Sequence, residues 1–99
     1  MSKGYIVAEV EVTDSATYDQ YRQKVQATLA PYGGRFLVRG GDPERLEGDR
    51  PAHRVVVLEF ASRERAEEWY HSKEYQEILP LRVRAATSRV LLVSGAEPS

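Results

Sequence analysis

The chain has 99 residues, a formal net charge of −1 and no cysteine. This length suits one domain, residues 1–99, with a single two-layer core. The lack of cysteine excludes disulfides, thiolate metal sites and cysteine nucleophiles. Basic residues are spread among acidic ones, so no nucleic-acid partner is expected. No apolar run approaches the roughly 18 residues of a membrane span. We therefore expect a cytoplasmic protein without a signal peptide or membrane partner.

The first forty residues predict a strand, a helix and a second strand. Tyr5–Val12 alternates in the period-two pattern of a half-buried strand. Asp14 is suited to cap the helix that follows, over about Ser15–Tyr32. The stripe that predicts this helix has spacings of three and four: Tyr18, Tyr21, Val25, Leu29. Gly33 suits a left-handed residue after the helix, and Gly34–Arg39 alternates again as a strand.

The second half predicts a strand, a divided helical region and a last strand. Arg54–Phe60 has four consecutive apolar residues, which is typical of a central strand covered on both faces. Ser62 and Ser72 are expected to cap two helices, because each is followed by a glutamate and an apolar stripe. Pro80 is expected to kink the second helix or to begin a new turn. Thr87–Ser94 predicts the last strand.

The resulting order is β-α-β-β-α-β, which indicates an α+β, ferredoxin-like fold. In this arrangement an antiparallel sheet carries its helices on one face. The loop before Arg54 is expected to be a hairpin connection with one short extended piece at Arg45–Glu47. Residues 95–99 are expected to form a flexible tail.

Alternation along the predicted strands indicates a second apolar surface, opposite the helices. The residues that define it are Val7, Leu37, Val55, Val57, Leu91, Val93. They exceed the exposed patch usual on a monomer, so we expect a homodimer in which two such faces pack together. The same alternation predicts that Val38 faces the helices and that Glu9, Arg39 and Glu59 lie on the second face. These three form either a charge-paired network or a polar site with carboxylate bases.

Short segments spread over nearly the whole chain carry a family resemblance. They are Gly4-Tyr5, Val12-Thr13-Asp14, Gly33–Gly41, Leu46–Asp49, Arg54–Phe60, Trp69–Tyr75 and Leu81-Arg82. Together they resemble a bacterial domain-of-unknown-function family, number thirteen-thirty. The resemblance implies a ferredoxin-like fold in the dimeric α/β-barrel superfamily, and it supplies no reaction. The family usually has a small polar residue, such as asparagine, where this chain has His71.

The densest polar and aromatic stretch lies around the junction of the two later helices. Its candidate ligand-binding residues are Trp69, Tyr70, Ser72, Tyr75 and Arg82. They would supply aromatic walls, a hydroxyl and a cation for an anion, as ligand pockets require. The alternative is that Trp69 belongs to the core, Ser72 caps a helix, and the tyrosines pack with their polar tips exposed.

His71 and Glu59 are the candidate catalytic residues. Histidine is the side chain that ordinarily changes charge near neutral pH, which suits a general base. A carboxylate such as Glu59 becomes a base when a cavity raises its pKa. Arg39 is a candidate to hold a ligand carboxylate in a two-pronged contact. His53 and His71 lack the spacing of metal ligands, so no metal site is expected.

Two functions are compatible with these features. The first is a small-molecule binder or cofactor-independent enzyme, with a pocket between sheet and helices. The alternative is a structural or regulatory dimerisation module without catalysis. Haem binding ranks third, because neither histidine lies on the inner face of a predicted strand. No cofactor is therefore expected.

Overall fold

The structure is a computed structural model that describes residues 2–96. Its elements follow the predicted β-α-β-β-α-β order, with the second helical region divided. The strands are β1 Gly4–Val12, β2 Arg35–Gly40, β3 Arg54–Phe60 and β4 Ala86–Ser94. The helices are α1 Ser15–Leu29, α2 Arg63–Tyr70 and α3 Lys73–Ala85.

The four strands form one antiparallel sheet in the order β2-β3-β1-β4. The α+β, ferredoxin-like prediction is confirmed. β3 lies inside the sheet between β2 and β1, as its run of apolar residues predicted. The helices cover one face, which we call the inner face; we call the other the open face.

Side-chain caps begin the three helices where the sequence predicted them. Asp14 Oδ1 accepts a hydrogen bond from the Thr17 backbone N–H at 3.2 Å. The Ser62 and Ser72 hydroxyls accept from backbone N–H groups three residues onward, also at 3.2 Å. These caps satisfy amides that lack a partner inside the helix.

Three local features differ from the prediction. α1 ends at Leu29, and Ala30–Tyr32 forms a 3-10 turn closed by Gly33, whose φ of 71° lies in the left-handed region. Pro80 lies inside α3, so of the two alternatives predicted for it the start of a new turn is wrong. The extended piece expected at Arg45–Glu47 is wrong, because this part of the loop forms no strand.

The predicted flexible tail is only partly described. The Gly95 N–H donates to the Lys3 carbonyl at 2.7 Å, which ties the start of this segment to the chain before β1. Residues 97–99 lie outside the described part of the chain.

The core fills the space between the inner face and the helices. Ile6, Val10, Leu58 and Phe60 are at most 5% exposed. From the helices come Tyr18, Val25, Leu29, Trp69 and Ala85, each at most 4% exposed. Gly34 is needed where the chain enters β2, because a Cβ there would lie 2.5 Å from the Phe60 ring.

A β-bulge in β2 overturns part of the predicted alternation. Phe36 pairs with Leu58, but Val38 pairs with Val57 and Arg39 with Val56, so Leu37 is an extra residue. Past the bulge, Val38 therefore shares the open face and Arg39 turns to the helix side. The predicted alternation placed Val38 on the helix side and Arg39 on the open face, and for both residues it is wrong.

Candidate ligand site between the sheet and the helices

A small cavity of about 40 Å³ lies between the inner face and the helices. Its walls are mainly aliphatic side chains from the strands and aromatic rings from the helices. The aromatic residues are Tyr18, Tyr21, Phe36, Trp69, Tyr70 and Tyr75. The volume has room for a few water molecules, well below the roughly 300–1,000 Å³ of most ligand pockets.

Tyrosine hydroxyls and guanidinium groups bring polarity into this cavity. The Tyr21 and Tyr75 hydroxyl oxygens lie 2.8 Å apart and share a hydrogen bond. Burial raises the pKa of Tyr21 far above its usual value, and the neighbouring Tyr75 adds to the effect. Arg82 lies beside Tyr75, on the next turns of α3, and is 7% exposed. The cavity thus contains a protonated Tyr21 hydroxyl, hydrogen-bonded to Tyr75, next to a buried cation.

Trp69 is fixed at one wall by contacts on several sides. Its indole N–H donates to the Thr28 hydroxyl at 3.0 Å, and its ring centroid lies 4.1 Å from that of Tyr75. The Ser72 hydroxyl donates to the Trp69 carbonyl at 2.7 Å while it caps α3. Both residues therefore make the structural contacts considered from the sequence, and Trp69 also lines the cavity.

Arg54 enters the same cavity from the start of β3. Its guanidinium carbon lies 5.7 Å from the Tyr18 ring centroid, within the range of a cation–π contact. Its Nε is buried and has no hydrogen-bond partner. Arg54 is thus a second cation of the cavity, and among the described residues its Nε has no hydrogen-bond partner.

An outer groove of about 280 Å³ lies next to the cavity and contains His71 and Glu67. Ile6, Tyr70 and Val90 line both spaces. The Tyr70 ring stands edge-on to His71, with centroids 5.2 Å apart, and lies 5.5 Å from Tyr75. Tyr70 is therefore part of the wall between the buried cavity and the groove.

Glu59 lies on the open face, outside this cavity, and is 9% exposed. Its Oε1 accepts from the Arg35 Nε at 2.8 Å, and its Oε2 accepts from the Tyr5 hydroxyl at 2.9 Å. Lys3 Nζ lies 3.5 Å from Oε1. The Arg35 and Tyr5 hydrogen bonds lower the pKa of Glu59, which favours a paired carboxylate.

Arg39 does not join Glu9 and Glu59. It donates to the Gln26 side chain and to the Arg22 carbonyl of α1, both at 3.3 Å. Glu9 lies opposite Arg89 of β4, in a groove at the other end of the open face from Glu59. The three-residue cluster expected from the sequence is therefore not formed.

The chain matches one sequence family, described as "Domain of unknown function (DUF1330)", over residues 3–96. The protein belongs to the DUF1330 family. No curated protein matches it.

Solved structures show the same fold as this DUF1330 protein at low sequence identity. A protein of unknown function from Rhodopseudomonas palustris is 19% identical, with a TM-score of 0.78 over 98% of this chain and 85% of that one. SnoaB, a cofactor-independent oxygenase from Streptomyces nogalater, is 13% identical, with a TM-score of 0.69 over 99% and 97%. A dimeric ferredoxin-like protein of unknown function from Jannaschia is 12% identical, with a TM-score of 0.64 over 92% and 97%.

Four of the predicted ligand-binding residues line the cavity of this DUF1330 protein: Trp69, Tyr70, Tyr75 and Arg82. His71 lies in the outer groove. Sequence reasoning missed Arg54 and Tyr21 as members of the site. The signal for Arg54 was present, because alternation along β3 puts it on the same face as Val56 and Leu58.

Residues 2–96 contain no group of three histidine, cysteine, aspartate or glutamate side chains that could hold a metal ion. In the same range, no helix is both long and apolar enough to cross a membrane.

Proposed function

We propose that this DUF1330 protein takes a small planar organic molecule between its sheet and its helices, as a binder or as an enzyme without a bound cofactor. The observation that carries the proposal is Arg82, a buried cation beside tyrosine hydroxyls in an otherwise apolar cavity. An apolar pocket with a few convergent polar groups is the usual composition of a ligand site. The shared fold with SnoaB supports a cofactor-independent reaction by analogy.

The ligand enters by displacement of Tyr70. The cavity alone is too small for an aromatic ligand, but the adjoining groove is about 280 Å³. Rotation of the Tyr70 ring joins the two spaces, and together they reach the lower end of the usual pocket size. Ligand bound in this way touches Trp69 on the buried side and reaches His71 on the outer side. His71 is then the residue placed to exchange a proton with it.

Two copies of the chain pack through their open faces. Leu37 and Leu91 are 45% and 44% exposed there, beside the half-buried Val7, Val55 and Val57. An apolar surface of this kind favours a partner, and the Jannaschia relative is dimeric. Glu59 belongs to this interface and not to the chemistry, because its bonds to Arg35 and Tyr5 are made on the open face.

One observation favours a second candidate, a dimerisation module without a ligand. The cavity measures only about 40 Å³, as expected if the inner side is simply a core. This candidate gives no role to the buried Arg82.

Fluorescence of Trp69, the single tryptophan of the chain, separates the two candidates. Trp69 lines the cavity, so an aromatic ligand that binds there is expected to quench it. The protein is titrated with 2-naphthoate and 2-naphthamide, which share one ring system. Saturable quenching by either compound, with a raised melting temperature, supports a ligand site.

The matched variants are Val90→Phe and Val83→Phe. Val90 lines the cavity and the groove, whereas Val83 lies on α3 and is 64% exposed. Val90→Phe is expected to weaken quenching at least tenfold, and Val83→Phe to leave it unchanged; circular dichroism verifies that both fold. No quenching of the wild-type protein by either compound would establish the module.

A further inference from the structure

The cavity between sheet and helices is lined by two arginines and by no carboxylate. Arg82 and Arg54 are both in its wall, and the described lining contains no aspartate, glutamate or histidine. Within residues 2–96, no ion pair involves either arginine. The Arg54 Nε is buried and without a hydrogen bond.

Several other arginines of the chain do pair with acids. Arg35 Nη2 lies 2.7 Å from Glu59, Arg65 lies 3.0 Å from Glu68, and Arg63 lies 3.8 Å from Glu67. These arginines are about half exposed or more, where water already solvates their charge. The buried Arg82, which needs a counter-charge most, has none from residues 2–96.

The groups around Arg82 complement a negatively charged oxygen. The guanidinium can hold a carboxylate through two parallel N–H bonds. The Tyr21 and Tyr75 hydroxyls lie beside it and share a hydrogen bond, and burial raises the pKa of Tyr21, so that hydroxyl stays protonated. Trp69 and Tyr70 supply flat walls against which an aromatic ring packs.

We infer that the ligand is an organic anion, a planar aromatic molecule whose carboxylate or similarly charged oxygen binds Arg82, with Arg54 as the second cation of the site. This inference rests on the proposed function and names the chemical class of its ligand. The ligand supplies the negative charge that the cavity lacks.

The test compares 2-naphthoate with 2-naphthamide, which have the same ring and nearly the same shape but differ in charge. Dissociation constants come from Trp69 quenching at pH 7.5. The wild-type protein is expected to bind the carboxylate at least tenfold more tightly than the amide. Arg82→Gln is expected to abolish this preference while the amide binds as before. Arg84→Gln, an exposed change two residues along α3, is expected to retain it.

Each outcome decides between distinct conclusions. Equal affinity for both compounds in the wild-type protein overturns the inference and leaves the proposed function standing. A preference for the carboxylate that survives Arg82→Gln overturns Arg82 as its anchor. Binding of neither compound rejects the proposed function itself. Should Arg82→Gln fail to fold, the wild-type ratio and the variant Arg54→Gln, expected to reduce the preference at least threefold, still test the charge.

Discussion

An arginine lies close to a tyrosine hydroxyl on each side of the sheet, but among residues 2–96 a carboxylate joins the pair only on the open side. There Arg35, Glu59 and Tyr5 form a cluster whose bonds are complete within one chain. On the helix side Arg82 lies beside Tyr75 on α3, and no acid among the described residues lines their cavity. The charge of Arg35 is balanced by Glu59 within the chain. A buried charge without an acidic partner is costly, and a ligand from outside the chain could offset that cost.

The apolar residues of the two faces differ in how well they are covered: those of the inner face are buried, and those of the open face are partly exposed. On the inner face they are covered by helices of the same chain, and Leu58 and Phe60 are at most 3% exposed. On the open face Leu37 and Leu91 are nearly half exposed. The chain thus completes its apolar packing on one face and its charge pairing on the other.

The largest expected effect comes from adjacent residues on opposite faces of β3. Val56→Lys places a third cation in the cavity with Arg54 and Arg82, and should destabilise the fold by about 3 kcal/mol or more. Val57→Lys should leave the protomer folded but dissociate the proposed dimer, because like charges would meet across its two-fold interface. Urea unfolding measures the first effect and light scattering the second. A Val57→Lys protein that stays dimeric would place the interface elsewhere.

The next largest effect is on melting temperature, when Arg35 and Arg82 are each replaced by methionine in separate variants. Arg35→Met leaves Glu59 without its main partner and should lower the melting temperature. Arg82→Met removes an uncompensated buried charge and should raise it by a few degrees, since 1 kcal/mol corresponds to about 4–8 °C in a domain of this size. Differential scanning calorimetry without ligand measures both. Two shifts of the same sign would mean that Arg82 has an internal role that its contacts do not reveal.

The smallest effect is the pH dependence of the open-face cluster. The hydrogen bond from Arg35, and then that from Tyr5, lowers the pKa of Glu59 in the folded state. Glu59 therefore contributes stability above the unfolded-state pKa of about 4.3, and this contribution is lost as the pH falls through the folded-state value.

Glu59→Gln measures that contribution. The variant should be less stable than wild type at pH 7 in urea unfolding, and the difference should shrink steadily below pH 4. Glu9→Gln, an exposed change on the same face, serves as the control and should change little at either pH. A stability difference for Glu59→Gln that is as large at pH 3 as at pH 7 would contradict the pairing.

The fold could be predicted from the sequence because local and long-range signals agree. Alternation in Tyr5–Val12 marks the strand, and Asp14, Ser62 and Ser72 mark the helix starts within one residue. The order of elements then leaves the ferredoxin-like arrangement as the simplest one.

The site was only partly predictable. Trp69, Tyr70, Tyr75 and Arg82 stand out because helical spacing brings them together near one junction. The bulge gave no signal, because Leu37 and Val38 are both apolar and either fits either face. The size of the cavity depends on side-chain packing among many residues, which no spacing rule encodes.

The extra residue in β2 also bears on how relatives of this chain should be compared. Without Leu37, Phe36 and Val38 would follow one another opposite Leu58 and Val57, and every later pair in the strand would keep its partner. A relative one residue shorter can therefore have the same sheet, provided that the alignment gap is placed at position 37. If the gap were placed after Arg39, the alignment would match Arg39, whose side chain is directed at α1, with a residue on the open face of the relative. An arginine at the equivalent position of the relative would then be aligned with a different residue of this chain.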